Sequence, residues 1–414
     1  MKPITLAGIQ AMDAADPLAH KRAEFELPEN VIYLDGNSLG CLPRAVRARV
    51  SEVIDQQWGT DLIKSWNIHG WIDLPVLTGE KIARLIGAGP GQVISCDSIS
   101  VNLFKLLSAA LGLQSGRHVV LSQQDNFPTD LYMVQGLSEL LGSHRCQLVT
   151  VSADELEGQL TDEVAVLMLT HVNFRSGHIH DMQRLTELAH KKGILVIWDL
   201  AHSAGVLPLQ LDQCQVDFAV GCTYKYLNAG PGAPAFLYVA KRHLPVVTQA
   251  LSGWMGHVAP FQFSTDYAGA PGIGKFLTGT PPVISMSALD AALDVFTDVE
   301  MQDIRHKTKQ LTSLFVTLAS QTPALDSLTL ASPTDAEQRG AQLAWRHPQA
   351  YAICQALIAA GVIGDFRAPD ILRLGFSPLY LRYEDIWHSV QQLASILETG
   401  RWQEPRFSQT SRVT

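Results

Sequence analysis

Between residues 92 and 239 the chain alternates short runs of β-branched and apolar residues with segments whose apolar residues recur at helical spacing. This alternation is typical of a mostly parallel sheet covered by helices, because parallel strands need long, usually helical, connections. Seven runs are predicted as strands, at residues 92–96, 118–122, 147–152, 164–171, 194–199, 218–222 and 235–239. Helices are predicted between them, at residues 102–113, 130–141 and 182–192. The sequence therefore predicts one large seven-stranded α/β sheet.

The pattern changes after about residue 280. Residues 284–319 form a long helical stretch, and a last helix at 383–399 carries Ile386, Val390 and Leu393 as a core-facing stripe. We expect a large α/β domain at 51–283, a smaller α+β domain at 284–414 and an N-terminal segment, 1–50, associated with the small domain. The polar residues from 400 onward are expected to form a loose tail.

Composition excludes several classes of protein. The 414 residues are 47% hydrophobic and carry a formal charge of -9, with basic residues scattered, so nucleic acid and acidic membranes are poor partners. No apolar run approaches the roughly 20 residues of a membrane-spanning helix. Asp13 and Asp16 lie where a secretory signal would be apolar, and six cysteines without a C-x-x-C pair argue against a disulfide framework or zinc site. These features predict a cytoplasmic protein.

Two weaker motifs have ordinary explanations. The glycine-rich GAGPG at 87–91 precedes a strand and contains a proline, so it predicts a turn rather than a dinucleotide site. His178 and His180 could begin a metal site, but no third ligand follows at a recognisable spacing. We expect these two histidines to be solvated loop residues and expect no metal.

Charged side chains follow two predicted strands at the point where each strand ends. Asp199 and His202 come at the end of the run VIWDLAH, and Lys225 follows the run at 218–222. Alone, Asp199 would be read as a cap or turn residue and Lys225 as a surface residue. Because open α/β sheets bind ligands at the carboxyl ends of their strands, the three side chains together point to one site.

Pyridoxal phosphate explains this combination economically. The cofactor needs a lysine that holds it as a Schiff base and a carboxylate that keeps its ring nitrogen protonated. Residues 97–100 (DSIS) join a strand to a helix, so backbone N–H groups and serine hydroxyls can bind the phosphate. Phe127, in the NFPTD run at 126–130, can stack on the ring, and Pro128 stiffens that loop.

The chain resembles the kynureninase family, in particular its bacterial members, and so a fold type I, aspartate aminotransferase-like enzyme. The resemblance spans about residues 32–380 and is carried by YLDGNSLG at 33–40, SWN at 65–67, NFPTD, WDLAH, YKYLNAG at 224–230 and LTGTPP at 277–282. It implies a homodimeric, pyridoxal phosphate-dependent hydrolase of tryptophan catabolism that cleaves L-kynurenine to anthranilate and L-alanine. We expect 3-hydroxy-L-kynurenine to be cleaved as well.

The resemblance also implies roles for individual residues. Lys225 would bind the cofactor and then act as the base, Asp199 would pair with the ring nitrogen, and adjacency makes Tyr224 the candidate proton relay. The complete set of expected cofactor contacts is Ile99, Ser100, Phe127, Pro128, Thr129, Asp130, Thr170, Asp199, His202, Tyr224, Lys225, Trp254 and Thr280.

Arg373 matches the arginine that would clamp the substrate α-carboxylate, a task that suits the planar guanidinium fork. Ser38 and Trp66 are the other expected substrate contacts. Trp66, Trp254 and the loop around Gly279 would line the pocket for the aryl ketone.

Two other functions remain open from the residues alone. The same aspartate and lysine would serve a cysteine desulfurase or a small aminotransferase, and a desulfurase needs a reactive cysteine on a flexible loop. Cys354 is the only candidate, and its helix-like surroundings predict a core residue. A metal hydrolase built on His178 and His180 is the alternative from a different class, and it would be colourless where a bound pyridoxal phosphate is yellow.

Overall fold

A computed structural model describes residues 4–409 of the chain. The α-helices of that part are α1 Leu6–Ala14, α2 Arg44–Glu52, α3 Ser65–Ile68, α4 Leu74–Ile86, α5 Ile99–Leu113, α6 Pro128–Leu141, α7 Met182–Lys191, α8 Val283–Leu293, α9 Met301–Ser320, α10 Ala350–Ala359 and α11 Tyr383–Thr399. Its strands are β1 Phe25–Glu26, β2 Ile32–Tyr33, β3 Leu42–Pro43, β4 Val93–Ser95, β5 Val119–Gln123, β6 Gln147–Val151, β7 Val164–Thr170, β8 Leu195–Asp199, β9 Phe218–Gly221, β10 Phe236–Val239, β11 Thr329–Leu330, β12 Gln342–Arg346, β13 Val362–Ile363, β14 Asp365–Arg367 and β15 Ile371–Gly375.

The largest sheet has seven strands in the order β4, β10, β9, β8, β7, β5, β6. Strand β10 is antiparallel to both of its neighbours, and the other four pairs are parallel. The seven predicted strands are therefore confirmed, and all of them lie in one mostly parallel sheet. Because β4 and β9 are both antiparallel to β10, β4 points the same way as the parallel strands, and its carboxyl end lies at the same edge.

Burial on both faces explains why these strands are continuous apolar runs in the sequence. Every residue of β7 is buried. Leu167 and Leu169 belong to one core cluster, whereas Val166 and Met168 belong to a second cluster, since successive side chains point to opposite faces. Helix α7 contributes to the first cluster and α5 to the second. The sheet is thus a rigid layer that positions the loops at its edges.

Helices α5 and α6 begin at the carboxyl edge of the sheet. Ser98 precedes α5, and its hydroxyl accepts a hydrogen bond from the backbone N–H of Val101. Pro128 opens α6, a position where its missing N–H costs no helical hydrogen bond. The predicted turn after α4 is confirmed, with Gly87 in the left-handed region at a φ of 65°. Two helix N-termini therefore face the strand ends that carry the charged side chains.

A second sheet, antiparallel and four-stranded, lies in the C-terminal part in the order β11, β12, β15, β14. The N-terminal segment joins this part, since β2 pairs in parallel with β13 and α1 packs on α11. These contacts place β2 and α1 against C-terminal elements, and the association of the whole segment 1–50 with the small domain stays a prediction. The boundaries at 50 and 283 stay predictions, and α2 crosses the first of them.

Two expectations for the C-terminal part are wrong. The helical stretch at 284–319 is not continuous, because α8 ends at Leu293 and α9 begins only at Met301. The tail is not loose as far as residue 409, since Phe407 is buried and packs on the core. Residues 410–414 lie outside the described residues. The last predicted helix is confirmed as α11.

Between residues 4 and 409, no helix combines the length and apolar character needed to cross a bilayer.

Candidate active site

A cavity of about 240 Å³ lies at the carboxyl edge of the large sheet, where β7, β8 and β9 end and α5 and α6 begin. Wider clefts occur elsewhere on the described surface, but this cavity is the one that gathers the predicted charged side chains. Nine of the expected cofactor contacts line it: Ile99, Ser100, Phe127, Thr129, Thr170, Asp199, His202, Tyr224 and Lys225. The structure therefore brings most of the predicted site together.

Lys225 lies in a turn just beyond β9, and the N-terminal segment holds that turn in place. The backbone N–H of Gly40 donates to the carbonyl of Tyr224 at 2.8 Å. A Cβ at Gly40 would come within 2.3 Å of the carbonyl oxygen of Lys225. The last glycine of the YLDGNSLG run is thus required by a close backbone approach, which links that motif to the lysine.

His202 contacts Lys225, with 2.9 Å between Nε2 and Nζ. Its Nδ1 lies 2.8 Å from Oε1 of Gln342, whose Nε2 donates to the carbonyls of Asn173 and Phe174. Because the Gln342 oxygen can only accept, Nδ1 of His202 carries the proton and Nε2 is left as an acceptor for Lys225. Burial, and then the charge of Lys225, lower the pKa of His202 well below its ordinary value. The imidazole is therefore a neutral acceptor that orients the lysine.

Asp199 ends β8 and is a buried carboxylate that lines the cavity. One of its oxygens accepts a hydrogen bond from the backbone N–H of Ala201 at 2.8 Å. Burial raises its pKa to about 6, although the charge of Lys225 opposes this shift. A carboxylate in such surroundings favours a cationic partner in the cavity, since an unpaired buried charge is costly.

The start of α5 supplies hydrogen-bond donors to one wall of the cavity. Ser98, Ile99 and Ser100 line this wall, and the first N–H groups of a helix have no acceptor inside the helix. The helix dipole adds partial positive charge at this end. Tyr224 lies nearby, and burial raises the pKa of its phenol above the usual value. This wall suits a phosphate group.

Phe127 offers a flat apolar surface above the lysine. Its ring centroid lies 5.9 Å from Nζ of Lys225 and 5.2 Å from the ring of Phe174, which it meets edge-on. Phe174 also lines the cavity, and sequence reasoning missed it because no strand end or motif marks it. Gln342 was missed as well, since it lies 140 positions from the histidine that it orients.

Pro128 and Asp130 are expected cofactor contacts at the start of α6, but neither lines the cavity. Asp130 is fully buried, and one of its oxygens accepts from the side chain of Asn126 at 2.9 Å. Its other oxygen has no partner in the described part of the chain. Burial, and then the charge of Asp199, raise its pKa well above the ordinary value. Pro128 is also absent from the lining, so direct cofactor contact by these two residues stays a prediction.

Arg373 lies in β15, buried beside the cavity rather than at its surface. Its Nε donates to Oδ1 of Asp365 at 2.9 Å, its Nη2 pairs with Oδ2, and the hydroxyl of Ser38 accepts from Nη2 at 2.9 Å. Its Nη1 donates to the carbonyl of Phe174 at 2.6 Å, which connects it to the cavity wall. Asp365 thus occupies the fork of Arg373 in this structure, and the role of Arg373 as the clamp for the substrate α-carboxylate stays a prediction.

Trp66, Trp254 and Thr280 do not line this cavity. Trp66 meets the ring of Trp71 edge-on, and Trp254 stacks on Phe263 at the surface. Thr280 is exposed. The structure therefore does not bring these three expected contacts to the site within one copy of the chain.

His178 and His180 line a different cleft, and the expectation that both are solvated is wrong for His180. His180 is buried rather than solvated, because its Nε2 lies 2.8 Å from Oε1 of Gln123. Burial, and then the neighbouring His178, lower its pKa to about 4. Within residues 4–409, no three histidine, cysteine, aspartate or glutamate side chains are grouped to hold a metal ion.

Comparison with known proteins identifies the family. A kynureninase from Deinococcus radiodurans is 51% identical over 400 residues, which cover 95% of this chain and 97% of that protein. The chain belongs to the kynureninase family. Residues 304–393 match the kynureninase C-terminal domain family, and residues 79–211 match the DegT/DnrJ/EryC1/StrS aminotransferase family.

Solved structures share the fold of this kynureninase family member at low identity. A cysteine desulfurase from Thermococcus onnurineus superposes with a TM-score of 0.77 at 15% identity, covering 92% of this chain and 98% of that one. A C-DES variant with glycine covalently linked to its pyridoxal phosphate cofactor gives 0.77 at 17% identity, with coverages of 90% and 98%. These likenesses confirm the predicted fold type I architecture.

Cys354, the predicted candidate, and Cys222, which lines the cavity, do not match what a desulfurase needs. Cys354 is fully buried in α10, as predicted, and burial raises its pKa. Cys222 lines the cavity but is also buried, and its pKa is raised for the same reason. A cysteine acts as a nucleophile in its thiolate form, which burial disfavours in both residues.

Proposed function

We propose that the chain hydrolyses L-kynurenine to anthranilate and L-alanine with pyridoxal phosphate as its cofactor. One observation carries the proposal: Lys225, its acceptor His202 and the buried carboxylate of Asp199 line a single cavity beside a helix N-terminus. Family membership at 51% identity over nearly the whole chain supports the same reaction.

The residues of the cavity fit this cofactor group by group. Asp199 would hold the protonated ring nitrogen, which would supply the cationic partner that its buried carboxylate favours. The N–H groups of Ile99 and Ser100 would bind the phosphate, and Phe127 would cover the ring. Lys225 would bind the aldehyde covalently. When bound, pyridoxal phosphate supplies an electron sink for the carbanions of carbon–carbon cleavage.

The chain's own groups would move the protons. Once the substrate amine has replaced it, Lys225 would take the proton from the substrate α-carbon, with His202 orienting its Nζ through the 2.9 Å contact. Tyr224 keeps its phenolic proton near neutral pH, because burial raises its pKa, so it can donate but not act as a base. We assign it the proton transfer that completes the alanine product. Cleavage consumes one water at the substrate ketone.

Turnover by the purified protein tests the proposed reaction. We expect L-kynurenine to yield anthranilate and L-alanine in equal amounts, and 3-hydroxy-L-kynurenine to yield 3-hydroxyanthranilate. Comparing kcat/KM for the two substrates would establish which one the site prefers. A colourless protein that releases no anthranilate after incubation with pyridoxal phosphate would refute both the cofactor and the reaction.

We also propose that two copies of the chain assemble with the aryl pocket between them. Trp66, Trp254 and Thr280 lie on two surface segments, 54–77 and 254–284, that expose several large apolar side chains. Ile63 and Phe263 are each 76% exposed, and Phe261 is 63% exposed. Exposed apolar patches of this kind mark interaction surfaces. A second copy covering these segments could supply the three residues that are missing from the cavity of one chain.

Charged substitutions at these segments test the dimer. We expect Phe261→Glu with Phe263→Glu to shift the protein towards monomer in sedimentation velocity, because a buried carboxylate without a partner opposes association. Leu140→Glu is the control, since Leu140 is 70% exposed but lies outside both segments. An unchanged dimer in the double variant, or a monomeric wild type, would show that these segments do not form the interface.

A conservative change at Arg373 tests its role in substrate binding. Arg373→Lys keeps the positive charge but loses the planar guanidinium that binds both oxygens of Asp365. The cation should therefore no longer be fixed beside the cavity. We expect kcat/KM for L-kynurenine to fall about 10- to 150-fold, the range of a charge-assisted hydrogen bond. Arg346→Lys, at an exposed strand end, serves as the control. Equal kcat/KM in Arg373→Lys and wild type would assign the carboxylate to another cation.

The cytoplasmic location and the domain boundaries at 50 and 283 stay predictions from the sequence.

A further inference from the structure

Asp365 bridges two guanidinium groups beside the cavity. It lies in β14, where its backbone is paired with that of Arg373 in β15. Arg373 holds both of its oxygens, and Nη2 of Arg367 lies 2.8 Å from Oδ2. The hydroxyl of Ser38 lies 2.9 Å from Nη2 of Arg373 and 3.4 Å from Nη2 of Arg367. The guanidinium groups of Arg373 and Arg367 therefore contact the same two side chains, those of Asp365 and Ser38.

The N–H groups of Arg373 are nearly all in use. A guanidinium has five N–H donors, and in Arg373 the Nε N–H and one Nη2 N–H bind Asp365. The second Nη2 N–H donates to the hydroxyl of Ser38, and one Nη1 N–H donates to the carbonyl of Phe174. One N–H remains for a ligand. A substrate carboxylate has two oxygens, so Arg373 alone cannot bind it through two hydrogen bonds without losing Asp365.

Arg367 has the donors that Arg373 lacks. Within residues 4–409, Nη1 of Arg367 donates to the carbonyl of Phe366 at 3.2 Å, and its Nη2 pairs with Oδ2 of Asp365 and makes a long contact with Ser38. None of these contacts uses its Nε. Its side chain is 35% exposed, whereas the side chain of Arg373 is 2% exposed. The guanidinium of Arg367 is therefore partly open to solvent beside the buried pair of Arg373 and Asp365, although Arg367 is not among the residues that line the cavity.

The net charge of Arg367, Arg373 and Asp365 matches that of one bound anion. Although burial alone would raise it, hydrogen bonding and the charges of Arg373 and Arg367 keep the pKa of Asp365 below its ordinary value. Burial, and then the neighbouring Asp365, raise the pKa of Asp35 to about 8, so this second carboxyl is neutral at pH 7. Two arginines and one carboxylate give a net charge of one positive unit, which a single substrate carboxylate neutralises.

The arginine pair lies next to the cavity that holds Lys225. Phe174 lines the cavity, and its carbonyl accepts from Arg373 at 2.6 Å. After burial and the charge of Lys225, Arg373 and Arg367 are further causes of the lowered pKa of His202. Arg367 is connected to this wall through Asp365, which pairs with both guanidinium groups.

We propose that Arg367 is a second carboxylate-binding residue, which completes recognition of the substrate α-carboxylate together with the one free N–H of Arg373. The inference rests on the proposed function, since it places an α-amino acid at Lys225. It makes the site selective for amino acids with a free carboxylate over those in which that group is an amide. Asp365 and Ser38 act as positioning residues that hold the two guanidinium groups next to each other.

Binding of L-alanine, the product that keeps the α-carboxylate, separates recognition from catalysis. L-Alanine and L-alaninamide are titrated into the pyridoxal phosphate-loaded protein, and the absorbance of the cofactor gives each dissociation constant. For Arg367→Gln we expect the constant for L-alanine to rise about tenfold, the low end for a charge-assisted hydrogen bond, because the group is partly exposed. The constant for L-alaninamide should stay unchanged. Arg367→Lys should give a smaller loss for L-alanine alone, since it keeps the charge.

Arg22→Gln is the matched control, because Arg22 is 31% exposed, pairs with Asp385 and lines a different cleft. It should change neither constant. An Arg367→Gln protein that binds L-alanine as tightly as wild type would overturn the proposal, and so would equal weakening for both ligands, which indicates a structural role. If Arg367→Gln does not fold, an unchanged L-alanine constant in Arg367→Lys would overturn it. Wild-type turnover of L-kynurenine is measured separately, so failure of the proposed reaction is distinguishable.

Discussion

Replacing Lys225 with alanine is expected to abolish cleavage of L-kynurenine and to remove the yellow colour of the purified protein. The substitution removes both the amine that binds the cofactor aldehyde and the base at the substrate α-carbon. Loss of a positioned general base alone lowers the rate about 10²- to 10⁴-fold, and loss of covalent attachment adds to this. Anthranilate release and the absorbance spectrum are the two measurements.

The control for this variant is a lysine outside the site. Lys191 lies exposed at the end of α7, and Lys191→Ala should keep both the colour and the activity. Thermal unfolding of the apo proteins checks that Lys225→Ala is folded. A yellow and active Lys225→Ala protein would move the cofactor attachment to another residue.

The large sheet could be predicted because its physical cause leaves a local signal. Strands buried on both faces must be apolar throughout, so β7 is visible as the uninterrupted run from Val164 to Leu169. Asp199 and Lys225 are visible for a related reason, since Asp199 ends one apolar strand and Lys225 follows closely after another. Because neighbouring parallel strands end at the same edge, the sequence predicts that both side chains belong to one site, and in the structure both line one cavity.

The surroundings of Arg373 could not be predicted in the same way. Its partner Asp365 is only eight residues away, but the pairing depends on the register of two short strands. Ser38 reaches the same guanidinium from 335 positions away. Neither contact leaves a periodic signal in the sequence. The resemblance to the family assigned the arginine a ligand, whereas the structure shows that most of its donors are already in use.

The break in the long helical stretch and the packed tail have a similar explanation. Residues 294–300 continue the apolar pattern of α8 into a short 3-10 turn, with Val295 and Phe296 buried, so periodicity alone does not mark the end of the helix. Phe407 lies in a polar segment, and only tertiary contact with the core reveals that it is buried. Contacts between distant segments determine both where α8 ends and whether Phe407 is buried.

Asp199→Asn is expected to retain the fold and the cofactor but to lose most of the activity. The asparagine oxygen can still accept from the backbone N–H of Ala201, so the local geometry should survive. What is lost is the negative charge that keeps the ring nitrogen protonated, and an unprotonated ring accepts electrons poorly. Removing one partner of a buried ion pair costs about 3–5 kcal/mol. We expect a loss of this size during the reaction, which lowers kcat about 10²- to 10⁴-fold.

Stability of the cofactor-free protein distinguishes this loss from unfolding. Burial raises the pKa of Asp199 to about 6, above that of an unfolded aspartate. The ionised group therefore opposes folding once the pH exceeds the folded pKa, and below the unfolded pKa this penalty is absent. At pH 7 the apo form of Asp199→Asn should be at least as stable as the wild type in thermal unfolding, while its kcat is strongly reduced. A variant with near-normal kcat would show that another group protonates the ring, and a destabilised apo variant would show that the carboxylate supports the fold.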